Sequence, residues 1–292
     1  MAANTRDIRR RIKSIRNTSQ ITKAMQMVAA AKMRKAQQAA LAGRPYAELM
    51  NKVLVSLRGR TEGGVTSHPL LESRPVKEEL VLVISTDKGL CGALNTNLLR
   101  EISQFDTART GFVAAGRKAM QFLARTKREL LADFQLKDAP GFLDTKVISK
   151  FCIEKFLTRE VDKVSVLFTN FINTLTQRPV VRTLLPVSPF ELEQITAEAE
   201  VLPAQLATEY LFEPSAGEVL SGILPHYVHF QIYQMVLDAR ASEHSARMVA
   251  MKNATDNAKQ LIKDLTLEYN KIRQASITTE LLEISTAQMA LG

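Results

Sequence analysis

The chain has 292 residues, about twice the length of a usual ~150-residue domain, and so is long enough to bury a sizeable core. Its 46% hydrophobic and 24% charged residues, with 12 Gly and 10 Pro, exclude a disordered, collagen-like or disulfide-stapled protein, and Cys91 and Cys152 alone cannot build an all-cysteine zinc site. The net charge of +9 is concentrated at one end, since residues 1–60 hold 14 Lys and Arg against only Asp7 and Glu48.

Residues 1–60 read as a first long helix. Ile8, Ile12 and Ile15 follow a 4,3 step and share one side, with Arg6, Arg9, Arg10 and Lys13 on the other. The same step continues through Ser19, Thr22, Gln26, Ala29 and Met33, a seam of small or polar residues. Ile21, Met25 and Val28 form a second apolar stripe turned roughly 110° away, so two faces seek partners where a simple helix pair needs one. The basic back is either a solvated face or a contact surface for something acidic. The N-terminus lacks the apolar core of a secretory signal, and because the helical pattern continues past residue 30 its arginines are not read as an organelle presequence.

Gly59, Gly63, Gly64, Pro69 and Pro75 mark a linker, after which residues 76–210 read as an α/β domain. Leu80 to Ile84 is a continuous apolar run, the signature of a buried strand. Helices are expected near 93–105, 117–126 and 145–159, and strands near 112–115, 164–171 and 180–187; strands separated by helices predict a mostly parallel sheet between helical layers. The turn Ser85-Thr86-Asp87-Lys88-Gly89-Leu90-Cys91-Gly92 sits where phosphate loops occur, but Lys88 precedes the glycines and the first pair of GxGxxG is missing. It reads as a structural turn. His226 and His229 lie at i, i+3, yet His244 is about 22 Å further along a continuous helix, so packing is favoured over metal binding. No HExxH, GxSxG or carboxylate pair marks a catalytic centre.

Residues 211–292 read as a second long helix, because neither Pro nor Gly occurs between Pro225 and Gly292. Met251, Ala254, Ala258, Leu261, Leu265, Tyr269 and Ile272 trace a seam close to the 3.5-residue coiled-coil period. The expected partner is the first helix, paired antiparallel, which gives a rod with the α/β domain at its side. After Arg273 the only charges are Glu280 and Glu283, while Ile277, Leu281, Leu282, Ile284, Met289 and Leu291 spread around the helix. Such an end is either frayed or held in a socket supplied by another protein.

Three blocks carry a resemblance to a known family. Ile21-Thr22-Lys23-Ala24-Met25-Gln26-Met27-Val28-Ala29-Ala30-Ala31-Lys32-Met33-Arg34-Lys35-Ala36-Gln37, Glu243-His244-Ser245-Ala246-Arg247-Met248-Val249-Ala250-Met251-Lys252-Asn253-Ala254-Thr255-Asp256-Asn257-Ala258, and Asn270-Lys271-Ile272-Arg273-Gln274-Ala275-Ser276-Ile277-Thr278-Thr279-Glu280-Leu281 resemble the signatures of the gamma subunit of F-type ATP synthases. Asp87-Lys88-Gly89-Leu90-Cys91-Gly92 looks like the family's equivalent turn. The resemblance implies a central rotor shaft, not itself an enzyme and without a cofactor, that couples proton-driven rotation of a c-ring to conformational change in a ring of alpha and beta subunits. One copy per complex is implied, with the α/β domain and an epsilon subunit on the c-ring, peripheral at the cytoplasmic face of a bacterial inner membrane. Ile21, Met25 and Val28 match positions facing beta, whose acidic loop is expected to meet Lys23, Lys32 and Arg34. Arg273, Gln274, Thr278, Glu280 and Leu281 match positions touching the ring, and Leu291 matches the tip held in its sleeve. No thiol-regulated insertion of the plant type is visible. The alternative is a nucleic-acid-binding basic coiled-coil protein, which the absence of Trp and of aromatics among the first helix's cations disfavours.

Overall fold

A computed structural model of the chain describes residues 2–61, 68–187, 212–213 and 215–291, with side chains left out at 2–4, 44, 48, 51, 55–61, 216, 290 and 291. The elements are α1 (Ala2–Thr61), β1 (Glu79–Ile84), α2 (Leu94–Ile102), β2 (Thr110–Ala115), α3 (Arg117–Arg125), β3 (Leu130–Phe134), α4 (Phe142–Leu157), β4 (Lys163–Phe171), β5 (Gln177–Leu185) and α5 (Ala216–Leu291). They form two compact units: residues 1–31 with 247–292, and residues 32–246.

The larger unit is built on one five-stranded sheet in the order β3-β2-β1-β4-β5. β1, β2, β3 and β4 run parallel, and β5 returns antiparallel to β4. The apolar run of β1 is explained by a core on each face. Leu80, Leu82 and Ile84 point into one core with α4, the second half of α1 and the first half of α5, whereas Val81 and Val83 point into another with α2 and α3. Strand β3 is absent from the sequence reading. It is a short edge strand whose residues are alternately half-buried and exposed, with Asp133 inside it, so it carries too little apolar signal to stand out.

Each of the two long helices contains a proline. Pro45 is within α1, and α5 starts nine residues before Pro225 instead of after it. A proline removes a single ladder hydrogen bond, and around Pro225 the side chains of Leu220, Leu224, Tyr227 and Val228 are buried. Gly43 owes its place to a close helix approach: a Cβ there would lie 3.3 Å from Phe230 Cζ and from Gln234 Oε1, and Gln234 Nε2 donates to the Ala40 carbonyl at 3.2 Å.

The smaller unit is the antiparallel coiled coil of the two chain ends. Arg9 Nη2 donates to the Tyr269 hydroxyl at 2.6 Å and the Thr22 and Thr255 hydroxyls meet at 2.7 Å, so α5 descends as α1 climbs. Ile8, Ile12, Ile15, Ser19, Thr22, Gln26 and Ala29 are the turned-in residues of α1, as their spacing requires. On α5 the seam departs from expectation. Leu261 is 48% exposed and Ile262 takes its place, giving Met251, Thr255, Ala258, Ile262, Leu265, Tyr269, Ile272, Ser276 and Thr279, a regular 4,3 repeat. Thr255 is what the apolar reading passed over. A buried threonine satisfied by the Met251 carbonyl at 2.8 Å keeps the repeat in phase without adding hydrophobicity.

Candidate functional site

Within the coiled coil, the second stripe of α1 is open. Ile21 is 60% and Val28 55% exposed, Met25 is half-buried at the stripe's inner margin, and Lys23 is exposed beside them. Met27, which the helical reading did not single out, is exposed as well. On α5, Arg273, Gln274, Thr278, Glu280 and Leu281 all face outward, with Thr278 Oγ1 donating to the Gln274 carbonyl at 3.0 Å. From residue 273 to 289 only Ser276 and Thr279 turn partly inward, so Ile277, Leu281, Leu282, Ile284 and Met289 form an exposed apolar surface that nothing covers among the described residues. The side chain of Leu291 lies outside those described.

Lys32 and Arg34 belong to the larger unit, and their fates differ. Arg34 is exposed, whereas the Lys32 ammonium is ion-paired with Asp138 in the loop after β3. That hydrogen bond, helped by the charges of Lys32, His244 and Arg240, holds the Asp138 carboxyl below the usual carboxylate range against its partial desolvation. Lys32 is therefore an exposed side chain whose charge is already paired within the chain.

The place where an α/β fold of this kind would bind a nucleotide is filled from within. Strand order reverses at β1, so the switch-point crevice lies between the carboxyl ends of β1 and β4. Ile84, Ser85, Thr86, Leu94 and Thr169 line it, and Ala239, Arg240 and Glu243 of α5 occupy it, leaving space for no more than about one water molecule. Arg240 is buried and donates to Glu243 at 2.7 Å, to Asp87 at 3.4 Å and to the Leu136 carbonyl at 3.2 Å. The glycine turn is held just as tightly. Thr86 Oγ1 donates to the Lys88 carbonyl at 2.8 Å, Asn95 Nδ2 reaches the buried Cys91 sulfur at 3.2 Å, and Asp87 Oδ1 accepts the Arg117 N–H at 3.1 Å. The turn is thus tied to the start of α2 through Asn95 and to the start of α3 through Asp87.

Neither histidine of the i, i+3 pair is set up as a ligand. His226 packs edge-on to Tyr46 and tilted against Phe142, and His229 Nδ1 meets Ser149 Oγ at 2.6 Å. Burial lowers the His229 imidazole to about 4, with Lys146, His226 and Lys150 adding to the effect. Burial also pushes the Cys152 thiol up to about 12, which leaves it without nucleophilic character.

Arg240, Glu243 and Asp138 were not found from sequence as organising residues. For Arg240 and Glu243 the one signal is the largely polar run Arg240 to Ser245, and for Asp138 in the loop after β3 there is none.

The comparisons with known proteins agree with this layout. A family model described as ATP synthase matches residues 4–291. The ATP synthase gamma chain of Methylacidiphilum infernorum is 54% identical over 99% of this chain and 100% of its own, and that of Opitutus terrae is 50% identical over 99% of each. Among solved structures, the rotor of Euglena gracilis mitochondrial ATP synthase in rotational state 1 superposes with a TM-score of 0.67 at 20% identity, covering 95% of this chain and 100% of its own. A chain of the same organism's OSCP/F1/c-ring assembly superposes at 0.69 and 20% identity, covering all of this chain and 95% of its own. With the paired terminal helices, the filled crevice and whole-length identity of one half or more, the chain belongs to the ATP synthase gamma chain family.

Proposed function

We propose that this chain is the central rotor shaft of an F-type ATP synthase, a non-catalytic subunit that converts c-ring rotation into ordered conformational change in a ring of alpha and beta subunits. The whole-length match to ATP synthase gamma chains carries the reading. The nucleic-acid alternative has no comparable support.

The mechanism follows from asymmetry. A coiled coil with the Ile21 and Val28 stripe on one side and a basic back on another makes unequal contacts with three otherwise equivalent catalytic subunits. Each angle of the shaft then favours a different conformation in each, and rotation becomes a sequence of population shifts. In this reading Ile21, Met25 and Val28 face the beta subunits, Lys23, Arg34 and the exposed flank of Lys32 meet their acidic loop, and Arg273, Gln274, Thr278, Glu280 and Leu281 touch the ring. The apolar tip toward Leu291 turns in a sleeve. Apolar contact suits that task because it is non-directional and smears over angle. The α/β unit rests with an epsilon subunit on the c-ring, one copy per complex, peripheral at the cytoplasmic face of a bacterial inner membrane. No described helix is long and apolar enough to cross a membrane, and in this reading attachment comes through the c-ring.

Reconstitution with alpha and beta subunits tests the proposal: ATP hydrolysis is expected to rotate a probe attached to the α/β unit. Met25→Lys is expected to keep the fold and the hydrolysis rate within a few-fold while lowering protons pumped per ATP in vesicles, since it places a charge against beta. Unchanged pumping per ATP would remove Met25 from that interface.

A further inference from the structure

We propose that the segment Arg240 to Ser245 of α5 is a torsional grip, the place where twist in the shaft is handed to the α/β unit without slip. The inference rests on the rotor reading and adds the residues that hold.

Helices α1 and α5 each run unbroken from the smaller unit into the larger one, and the larger unit ends at Ala246. Immediately before that boundary, Arg240, Ala241, Ser242, Glu243, His244 and Ser245 are all buried. Six consecutive buried residues span more than a full turn, so this part of the helix is enclosed on every side. An enclosed helix segment is ordinarily apolar. Here five of the six are polar, and their bonds fan out to the loops at the carboxyl edge of the sheet. Arg240 donates to Asp87 after β1 and to the Leu136 carbonyl after β3. Ser242 Oγ donates to the Thr169 carbonyl in β4 at 3.0 Å, and Ser245 Oγ donates to the Thr174 carbonyl in the β4–β5 turn at 2.8 Å. Gln177 of β5 is also within 3.5 Å of Ser245 Oγ. Lys32 of α1 joins the same edge through Asp138, two residues beyond Leu136.

The chemistry suits a grip because of how the two kinds of contact respond to shear. The apolar packing of Leu224, Val228, Ile232 and Val236 holds α5 against the sheet by close fit, but its attraction has no preferred direction. Hydrogen bonds weaken steeply with angle, and those from a guanidinium are about twice as strong as neutral ones. Bonds placed around the helix, to acceptors on separate loops, oppose rotation in both senses. In the rotor reading, the molecule thus uses apolar surface where it must slide and directional polar bonds where it must hold.

The test uses the assembled complex with the alpha/beta ring immobilised, the shaft stalled, and a bead on the α/β unit reporting angular fluctuation. Two variants are compared with the wild type: R240M/E243M, which removes both charges of the closest pair together, and S242A/S245A, which removes the two hydroxyl bonds. The angular variance is expected to rise about twofold in R240M/E243M and by less in S242A/S245A, with unloaded ATP-driven rotation retained. A lower melting temperature with the wild-type variance in both would overturn the inference, since that is what a merely structural role produces. If R240M/E243M fails to assemble, S242A/S245A decides alone. Failure of the wild-type shaft to rotate would instead refute the rotor reading.

Discussion

Gly116 and His229 are two residues whose environments fix what a change must do. Gly116 has φ of 121°, and a Cβ there would stand 2.4 Å from the Ser85 carbonyl oxygen, where the ends of β1 and β2 come together. Gly116→Ala is therefore expected to cost more than about 2 kcal/mol, read as a shift of the urea midpoint with the slope unchanged. His229 acts through pH. Its folded value near 4 lies below the ordinary 6.5, so its contribution is complete above pH 6.5 and is lost progressively as pH falls toward 4, by at most about 1.4 kcal/mol per pH unit. His229→Gln should flatten the pH dependence of stability between 6.5 and 4.5. An undiminished slope in urea titrations at those two pH values would assign the effect to another group.

At the scale of the element, the coiled coil separates what periodicity reveals from what it hides. The α1 seam was legible because isoleucines at 8, 12 and 15 set a phase that the small residues then keep. On α5 the phase was misread near residue 261, since a leucine next to an isoleucine gives hydrophobicity no means of choosing, and the residue that decides is Thr255, whose partner hydroxyl on Thr22 lies 233 positions away. Ile262→Ser should therefore lower the melting temperature of the coiled coil, at a cost of about 1–2 kcal/mol, while Leu261→Ser stays within about 0.5 kcal/mol. Helical circular dichroism on heating distinguishes the two, and equal effects would restore the original phase. Edge strand β3 was missed for a related reason. Its pairing with β2 compensates for a weak pattern, and pairing is information that only the sheet holds.

Taken as a whole, the molecule divides its stability unevenly. The larger unit has a core on both faces of its sheet, whereas among the described residues the buried apolar ones of the coiled coil are Ile8, Ala29, Met251 and Ala258. Scanning calorimetry of the isolated chain is expected to resolve two transitions, the lower belonging to the coiled coil. In the proposed complex the lower one should rise toward the upper, because binding that favours the folded form stabilises by mass action. A single transition in the isolated chain would show the units to be one cooperative system. The fold class and the open surfaces could be read from sequence because long helices, a doubly buried strand and a tail with only two charges are properties of stretches. The enclosed polar segment of α5 could not, because a charge looks the same in a string of letters whether water or protein surrounds it.

The bond from Arg9 to Tyr269 joins positions 260 residues apart. A ribosome finishes α1 long before it reaches the part of α5 that α1 pairs with, so the coiled coil cannot close until nearly the whole polypeptide has been made. An interrupted translation product would leave the isoleucine face of its first helix bare. The pairing of opposite chain ends therefore makes closure of the coiled coil one of the last events in the making of the molecule.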